Sequence, residues 1–117
     1  MRHRKKIKKL NLARDNRNKL IKNLATSLIL YEQIKTTEAR AKALAPFAEH
    51  LITIGKQKDE LKARRDLMRL TFDKNAVEKL LKDLKPKYKD RAGGFTKINK
   101  IGQRAGDAAP MVYIKLT

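Results

Sequence analysis

The chain has 117 residues, of which 41% are hydrophobic, and thirty Lys and Arg against twelve Asp and Glu leave a formal net charge of +18. This length is typical of one compact domain with a modest core, and the charge favours a polyanionic partner because so many like charges repel one another. The absence of cysteine excludes disulfides and cysteine-ligated zinc or iron–sulfur sites, and it favours a reducing, cytoplasmic setting.

Residues 1–14 form a basic segment in which apolar residues are few and cations run together. Residues 1–22 contain ten basic residues and one acidic residue, a net charge of +9. We therefore expect residues 1–14 to form an extended basic arm without a core of its own, followed by a single domain over residues 15–117. Asp15 or Asn16 is predicted to cap a first helix. The expected buried stripe of this helix is Leu20, Leu24, Leu28 and Tyr31, with Ile21 and Ala25 beside it.

A short β-prone segment, residues 33–36, separates this helix from a second one. Thr37 is the predicted N-cap of the second helix, and Gly55 is predicted to end it. An interior proline costs ~3 kcal/mol of helix stability, so Pro46 predicts a kink or a division into two shorter helices. The apolar residues at helical spacing in this segment are Ala41, Leu44, Ala48, Leu51 and Ile52.

A charged loop over residues 56–60 leads to a third predicted helix over residues 61–70. Asp73 is predicted to cap a fourth helix. Pro86 is predicted to terminate it, because proline cannot continue the hydrogen-bond pattern. The expected buried stripe of the fourth helix is Val77, Leu80, Leu81 and Leu84.

The remaining chain changes from helical to strand-like periodicity. Gly93 and Gly94 predict a turn in which at least one φ is positive. A strand over residues 95–101, a loop over residues 102–110 and a strand over residues 111–116 follow. Alternation in the last strand places Val112, Ile114 and Leu116 on one face and Met111, Tyr113 and Lys115 on the other. The predicted fold class is α+β, with about four helices packed on one face of a small three-stranded sheet and an extended basic N-terminal arm.

The sequence contains no pattern typical of a catalytic site. Of the two histidines, His3 lies in the basic arm and His50 in the second predicted helix, where a surface or core position accounts for it. The adjacent carboxylates Asp59 and Glu60 have no acidic or histidine partner nearby in sequence. The glycines at 93–94 lack the Lys-Ser/Thr of a phosphate-binding loop. We therefore expect no enzymatic activity, no metal site, no cofactor and no small-molecule substrate.

The distribution of charge favours nucleic acid as the partner. Residues 1–22 and residues 82–104, with net charges of +9 and +6, bracket residues 31–81, whose net charge is only +3. A membrane surface is a weaker alternative, because the arm has no Trp or Phe anchor and no apolar run approaches the ~20 residues of a membrane span. Phosphate-dominated binding fits structured RNA better than DNA, although DNA too is held mainly through phosphates. Because aromatic residues make up only 5% of the chain, a stacking platform for single strands is not expected.

Nine blocks of the sequence occur in the order seen in a known family. The blocks are residues 1–4 (MRHR), 9–11 (KLN), 24–28 (LATSL), 32–37 (EQIKTT), 41–42 (AK), 51–53 (LIT), 63–65 (ARR), 86–98 (PKYKDRAGGFTKI) and 104–111 (RAGDAAPM). Together they resemble bacterial large-subunit ribosomal protein seventeen. Two positions depart from the family pattern. Asn16 stands where a histidine usually precedes an arginine, and the loop before Gly106 carries one arginine, Arg104, where many members have more, which predicts a weaker RNA contact there.

The resemblance implies a non-catalytic mixed α/β domain that binds 23S ribosomal RNA near the polypeptide exit tunnel. Neighbouring large-subunit ribosomal proteins are implied as further partners, and the implied location is the large ribosomal subunit in the cytoplasm. A DNA-compacting protein and a factor that visits the ribosome transiently remain alternatives. Tyr88 and Phe95 are expected either to stack on a base or to lie in the core. The residues expected to contact RNA are Arg2, His3, Arg4, Lys5, Lys6, Lys8, Lys9, Arg14, Arg17, Lys22, Lys35, Arg64, Arg65, Lys87, Lys89, Arg91, Gly93, Gly94, Lys97, Lys100 and Arg104.

Overall fold

Four helices and three strands make up the part of the chain that a computed structural model describes, which is Leu10 and residues 12–117. Of the predicted arm over residues 1–14, residues 1–9 and 11 lie outside the described residues, and Arg14 is the first residue of α1. In chain order the elements are α1 (Arg14–Tyr31), β1 (Gln33–Thr37), α2 (Glu38–Gly55), α3 (Glu60–Leu70), α4 (Lys74–Lys79), a π-helical segment (Leu80–Leu84), α5 (Lys85–Lys87), β2 (Thr96–Gln103) and β3 (Pro110–Leu116). Because α4, the π-helical segment and α5 follow one another without a break, they form one continuous fourth helix.

The three strands form one antiparallel sheet in the order β1-β3-β2, so the last strand of the chain is the central one. Val112, Ile114 and Leu116 on β3 are buried, as the alternation predicted. They join a core formed with the helices, of which α1 and α2 pack against the sheet. The predicted α+β fold with helices on one face of a three-stranded sheet is confirmed.

Side-chain caps fix the starts of three helices. Thr37 Oγ1 accepts from the Arg40 N–H at 3.4 Å, and an Asp73 carboxylate oxygen accepts from the Asn75 N–H at 2.8 Å, so both predicted caps are confirmed. Asp59 caps α3 in the same way. The predicted cap of α1 is wrong: α1 begins at Arg14 after Ala13, which makes no side-chain cap hydrogen bond. A carboxylate in the first turn of α1 instead interacts favourably with the helix dipole.

Tyr31 lies outside the buried stripe that the sequence predicted for α1. The packed face of α1 is centred on Ala25, Leu28 and Ile29, each of which is fully buried. Tyr31 lies roughly a third of a turn away from that centre at 3.6 residues per turn. Its side chain is therefore 73% exposed.

Pro46 and Pro86 both lie within helical segments. The α2 helix passes through Pro46 as one helix, and the division into two shorter helices does not occur. The prediction that Pro86 ends the fourth helix is wrong, because helical geometry continues to Lys87. The preceding turn is π-helical, with the Lys85 N–H donating to Leu80 O, and its wider turn relieves the clash between a proline ring and an earlier carbonyl.

The second strand ends two residues later than predicted. A bulge between Lys100 and Gly102 leaves Ile101 unpaired, and pairing then resumes at Gly102 opposite Met111. The strand therefore ends at Gln103 instead of at residue 101. An irregularity of this kind interrupts the alternation by which a strand is recognised in sequence.

Candidate nucleic-acid interface

The sheet has one face that no described helix covers. Side chains directly opposite each other on paired strands project to the same side. Since Val112 and Ile114 point into the core, the alternate residues project away from the helices. We call this surface the open sheet face. Its residues are Gln33, Lys35 and Thr37 on β1, Met111, Tyr113 and Lys115 on β3, and Lys97 and Asn99 on β2.

Positive charge on the open sheet face is not compensated locally. The face contains three lysines and no acidic residue, and among the ion pairs of the described residues none involves Lys35, Lys97 or Lys115. Lys97 lies directly opposite Lys115. Like charges opposite each other on neighbouring strands are destabilising. An anion bound near both lysines would reduce this repulsion.

Of the three strand lysines predicted from sequence, two share this face and one does not. Lys35 and Lys97 project from it, and both are exposed. Lys100 pairs with Val112 and therefore projects to the helix side of the sheet. Its positive charge there is one cause, after the hydrogen bond and charge of Lys42, of the lowered pKa of Glu38.

The loop between α5 and β2, residues 88–95, is held close to the domain by hydrogen bonds. The Lys56 ammonium donates to the Arg91 carbonyl, and the Arg91 Nε–H donates to Gly93 O at 3.1 Å. Gly94 has φ +65°, which confirms that one glycine of the pair takes a left-handed conformation. Gly93 does not have a positive φ, and nothing lies within 4 Å of the position that a Cβ would occupy there.

Tyr88 and Phe95 belong to the core, which settles the alternative between base stacking and burial. Their exposed fractions are 2% and 1%, and their ring centroids lie 5.0 Å apart. The Tyr88 hydroxyl donates to Thr117 O at 2.6 Å, and the Phe95 N–H donates to Glu49 Oε1 at 2.9 Å. These contacts anchor both ends of the loop that carries Arg91.

Several cations predicted to contact RNA form ion pairs or hydrogen bonds with other groups of the protein. Arg64 is paired with Glu78 and joins α3 to the fourth helix, and this contact lowers the pKa of the Glu78 carboxyl. Arg104 makes two hydrogen bonds to Asp107, and these are the main cause of an Asp107 pKa of about 2. The Lys22 ammonium donates to a backbone carbonyl on α3 at 3.2 Å.

The remaining predicted cations lie at the surface. Lys87 lies 3.6 Å from a Glu32 carboxylate oxygen and over the Tyr88 ring. Within residues 12–117, four of the others make no ion pair; they are Arg14 and Arg17 on α1, Arg65 on α3 and Lys89 in the loop before β2. The predicted contacts at residues 2–9 lie outside the described residues.

Sequence reasoning missed Tyr113 and Lys115 as candidate contacts. Tyr113 is 37% exposed and lies in the row Lys35–Tyr113–Asn99 across the sheet. Lys115 lies in the row Gln33–Lys115–Lys97. The alternation over residues 111–116 assigns both to one face. Only the strand order shows that this face carries Lys35 and Lys97 as well.

The described residues contain no group of His, Asp or Glu side chains placed to hold a metal ion. His50 is exposed on α2. None of the helices that the structure describes combines the length and the apolar character needed to cross a membrane. The uncompensated lysines of the open sheet face therefore stand out as the feature best suited to bind a partner.

Comparison with known proteins adds independent information. The family model for ribosomal protein L17 matches residues 20–117. The chain is 48% identical over 109 residues to the large ribosomal subunit protein bL17 of Desulfitobacterium hafniense, covering 93% of this chain and 96% of that protein. It is 48% identical over 115 residues to the protein of the same name from Rickettsia africae, covering 98% and 84%. The corresponding protein of Desulfosudis oleivorans is 45% identical over 116 residues, and the chain spans only 55% of its length.

Proposed function

The chain belongs to the ribosomal protein L17 family, and on this basis we propose that it is a structural, non-enzymatic constituent of the large ribosomal subunit that binds 23S ribosomal RNA. Its contacts are mainly to phosphates, and its position is near the polypeptide exit tunnel. Relatives named as large ribosomal subunit proteins support the assignment to that subunit. The RNA species and the exit-tunnel position rest on the family resemblance. Neighbouring large-subunit proteins are the other partners, and the protein acts in the cytoplasm.

The observation that carries the RNA-binding part of this proposal is the uncompensated charge of the open sheet face. Lys35, Lys97 and Lys115 come from three different strands and share the open sheet face, which carries no carboxylate. A phosphate backbone supplies the missing negative charge, and each phosphate neutralised releases condensed counterions. In the same proposal, the cations at residues 2–9 form an arm that makes additional phosphate contacts.

The helical surfaces contribute further phosphate contacts. Arg14 and Arg17 lie three residues apart at the start of α1, and side chains at that spacing share one face of a helix. Arg65 on α3 and Lys89 before β2 are exposed as well. Arg64 and Arg104 have a smaller role because each already binds a carboxylate of its own chain.

Sedimentation of a cell lysate through a sucrose gradient in high-salt buffer tests this function. We expect stoichiometric retention in the large subunit, because a structural constituent holds many phosphate and protein contacts at once. Release into the top fractions contradicts the proposal and indicates a transient factor or a DNA-binding protein. Crosslinking within the purified subunit tests the position, since the crosslinked RNA and protein fragments must map beside the tunnel exit.

A further inference from the structure

The open sheet face places an aromatic ring within a field of positive charge. Tyr113 is on the central strand, with Lys35 opposite it on β1 and Asn99 opposite it on β2. Lys115 follows two residues later on the same face, a distance of about 7 Å along a strand, and Lys97 lies opposite Lys115. The ring, an amide group and three ammonium groups therefore lie within the reach of one or two nucleotides.

We propose that this face binds unpaired RNA, with the Tyr113 ring stacked on one base and Lys35, Lys97 and Lys115 in contact with the adjacent phosphates. The inference rests on the proposed function and names the kind of RNA that the face recognises. Asn99 offers an amide donor and an amide acceptor beside the ring. It hydrogen bonds to the edge of the stacked base.

Unpaired RNA suits this arrangement better than an RNA helix. In a duplex the faces of the bases are covered by their neighbours, and the deep, narrow major groove of A-form RNA does not admit side chains to the base edges. An exposed ring on an uncovered sheet face instead offers a stacking partner to a base that has left the helix. An acidic protein segment would pair with the lysines but leave the ring without a specific role.

The other exposed aromatic residues lack this setting. Phe72 follows the end of α3, is 55% exposed and has the Lys22 ammonium 5.7 Å from its ring centroid. Tyr31 ends α1 and is 73% exposed. Neither lies on a strand, and neither faces an uncompensated lysine pair. Phe72 is therefore a suitable control position, since it carries an exposed ring away from the sheet.

The test compares Tyr113→Ile with the matched control Phe72→Ile in the full-length protein. Isoleucine removes the ring but retains strand propensity at position 113, and Tyr113→Phe retains the ring. Affinity is measured for a short oligoadenylate, which has unpaired bases, and for an RNA duplex of equal length. Melting temperature is measured for every variant, and Tyr113→Val serves as a second ring-free variant if Tyr113→Ile is not folded.

We expect Tyr113→Ile to weaken binding of the oligoadenylate by about 5- to 150-fold, the range for losing one stacked base. Tyr113→Phe and Phe72→Ile should bind it as the wild type does, and affinity for the duplex should change less than about twofold in all variants. The salt dependence should be unchanged in Tyr113→Ile, because all the lysines that neutralise phosphates remain. Lys115→Gln should flatten the slope of log affinity against log salt by about 0.7, as expected for one phosphate on a single strand.

Two results overturn the inference. If a folded ring-free variant binds the oligoadenylate as tightly as the wild type, Tyr113 does not stack on a base. If such a variant binds RNA normally but is not retained in the large subunit, the face contacts a protein. Failure of the proposed function looks different, because the wild-type protein itself would then be absent from the large subunit while the oligoadenylate comparison remained interpretable.

Discussion

Replacement of Phe95 by alanine tests whether the strand that follows the glycine loop is anchored by a core ring. The Phe95 side chain is 1% exposed, packs against Tyr88 at 5.0 Å between centroids and lies 5.2 Å from the Lys56 ammonium. Removing a buried phenyl ring typically costs about 3–5 kcal/mol. That loss is a large part of the ~5–15 kcal/mol that stabilises a small domain. At about 4 °C per kcal/mol for a chain of this size, we expect the melting temperature to fall by about 12–20 °C.

The measurement is calorimetry and urea denaturation of the RNA-free protein, with Phe72→Ala as the control. Phe72 is 55% exposed, and its truncation should change the free energy of unfolding by less than about 0.5 kcal/mol. RNA affinity should be measured at a temperature where both variants are folded, and there Phe95→Ala should bind nearly as the wild type does. If Phe95→Ala has the same melting temperature as Phe72→Ala but loses RNA affinity, the Phe95 ring contacts RNA and its assignment to the core is wrong.

Three further predictions concern the loops and the arm. Gly94→Ala should lower the free energy of unfolding by about 1–2 kcal/mol because its φ is +65°, whereas Gly93→Ala should be nearly neutral in urea denaturation. The depressed pKa of Asp107, about 2 instead of 3.8, means that its ion pair with Arg104 is complete above pH 3.8 and is lost as the pH falls through about 2. A carboxyl titration by NMR with its midpoint near 4 would contradict this. Deletion of residues 1–9 should flatten the salt dependence of RNA binding by several units, at about 0.7–0.9 for each phosphate that the arm neutralises, and an unchanged slope would exclude arm–phosphate contacts.

Local patterns in the sequence were sufficient for the order of elements and for much of the core. The helical spacing of Leu44, Ala48 and Leu51 and the alternation of Val112 and Ile114 identified residues that are all fully buried. Thr37 and Asp73 marked helix starts because a cap satisfies backbone groups within three residues of itself. The net charge of +18 likewise favoured a polyanionic partner, and the lack of a catalytic residue pattern predicted a non-enzymatic chain.

The tertiary structure determined which side chains share a surface, which the sequence did not specify. Lys35 and Lys115 are eighty residues apart in the chain, and they share a surface only because β1 pairs with β3. Periodicity assigns a side chain to one of two faces of a strand, but it does not specify which strands are neighbours, because pairing depends on contacts that are distant in sequence. The open sheet face around Tyr113 was therefore not predictable from the spacing of residues in the sequence.

Whether a cation is paired with a carboxylate also depended on the tertiary structure. Arg64 and Arg65 are adjacent and chemically identical, yet Arg64 binds Glu78 across two helices while Arg65 is exposed to solvent. Tyr88 and Phe95 likewise became core residues through contact with each other and with the chain end. Sequence determined the number and sign of the charges and the local elements. Long-range packing determined which cations stay available to RNA. A cation that pairs with a carboxylate of the same chain is less available, and only folding brings such a cation and carboxylate together.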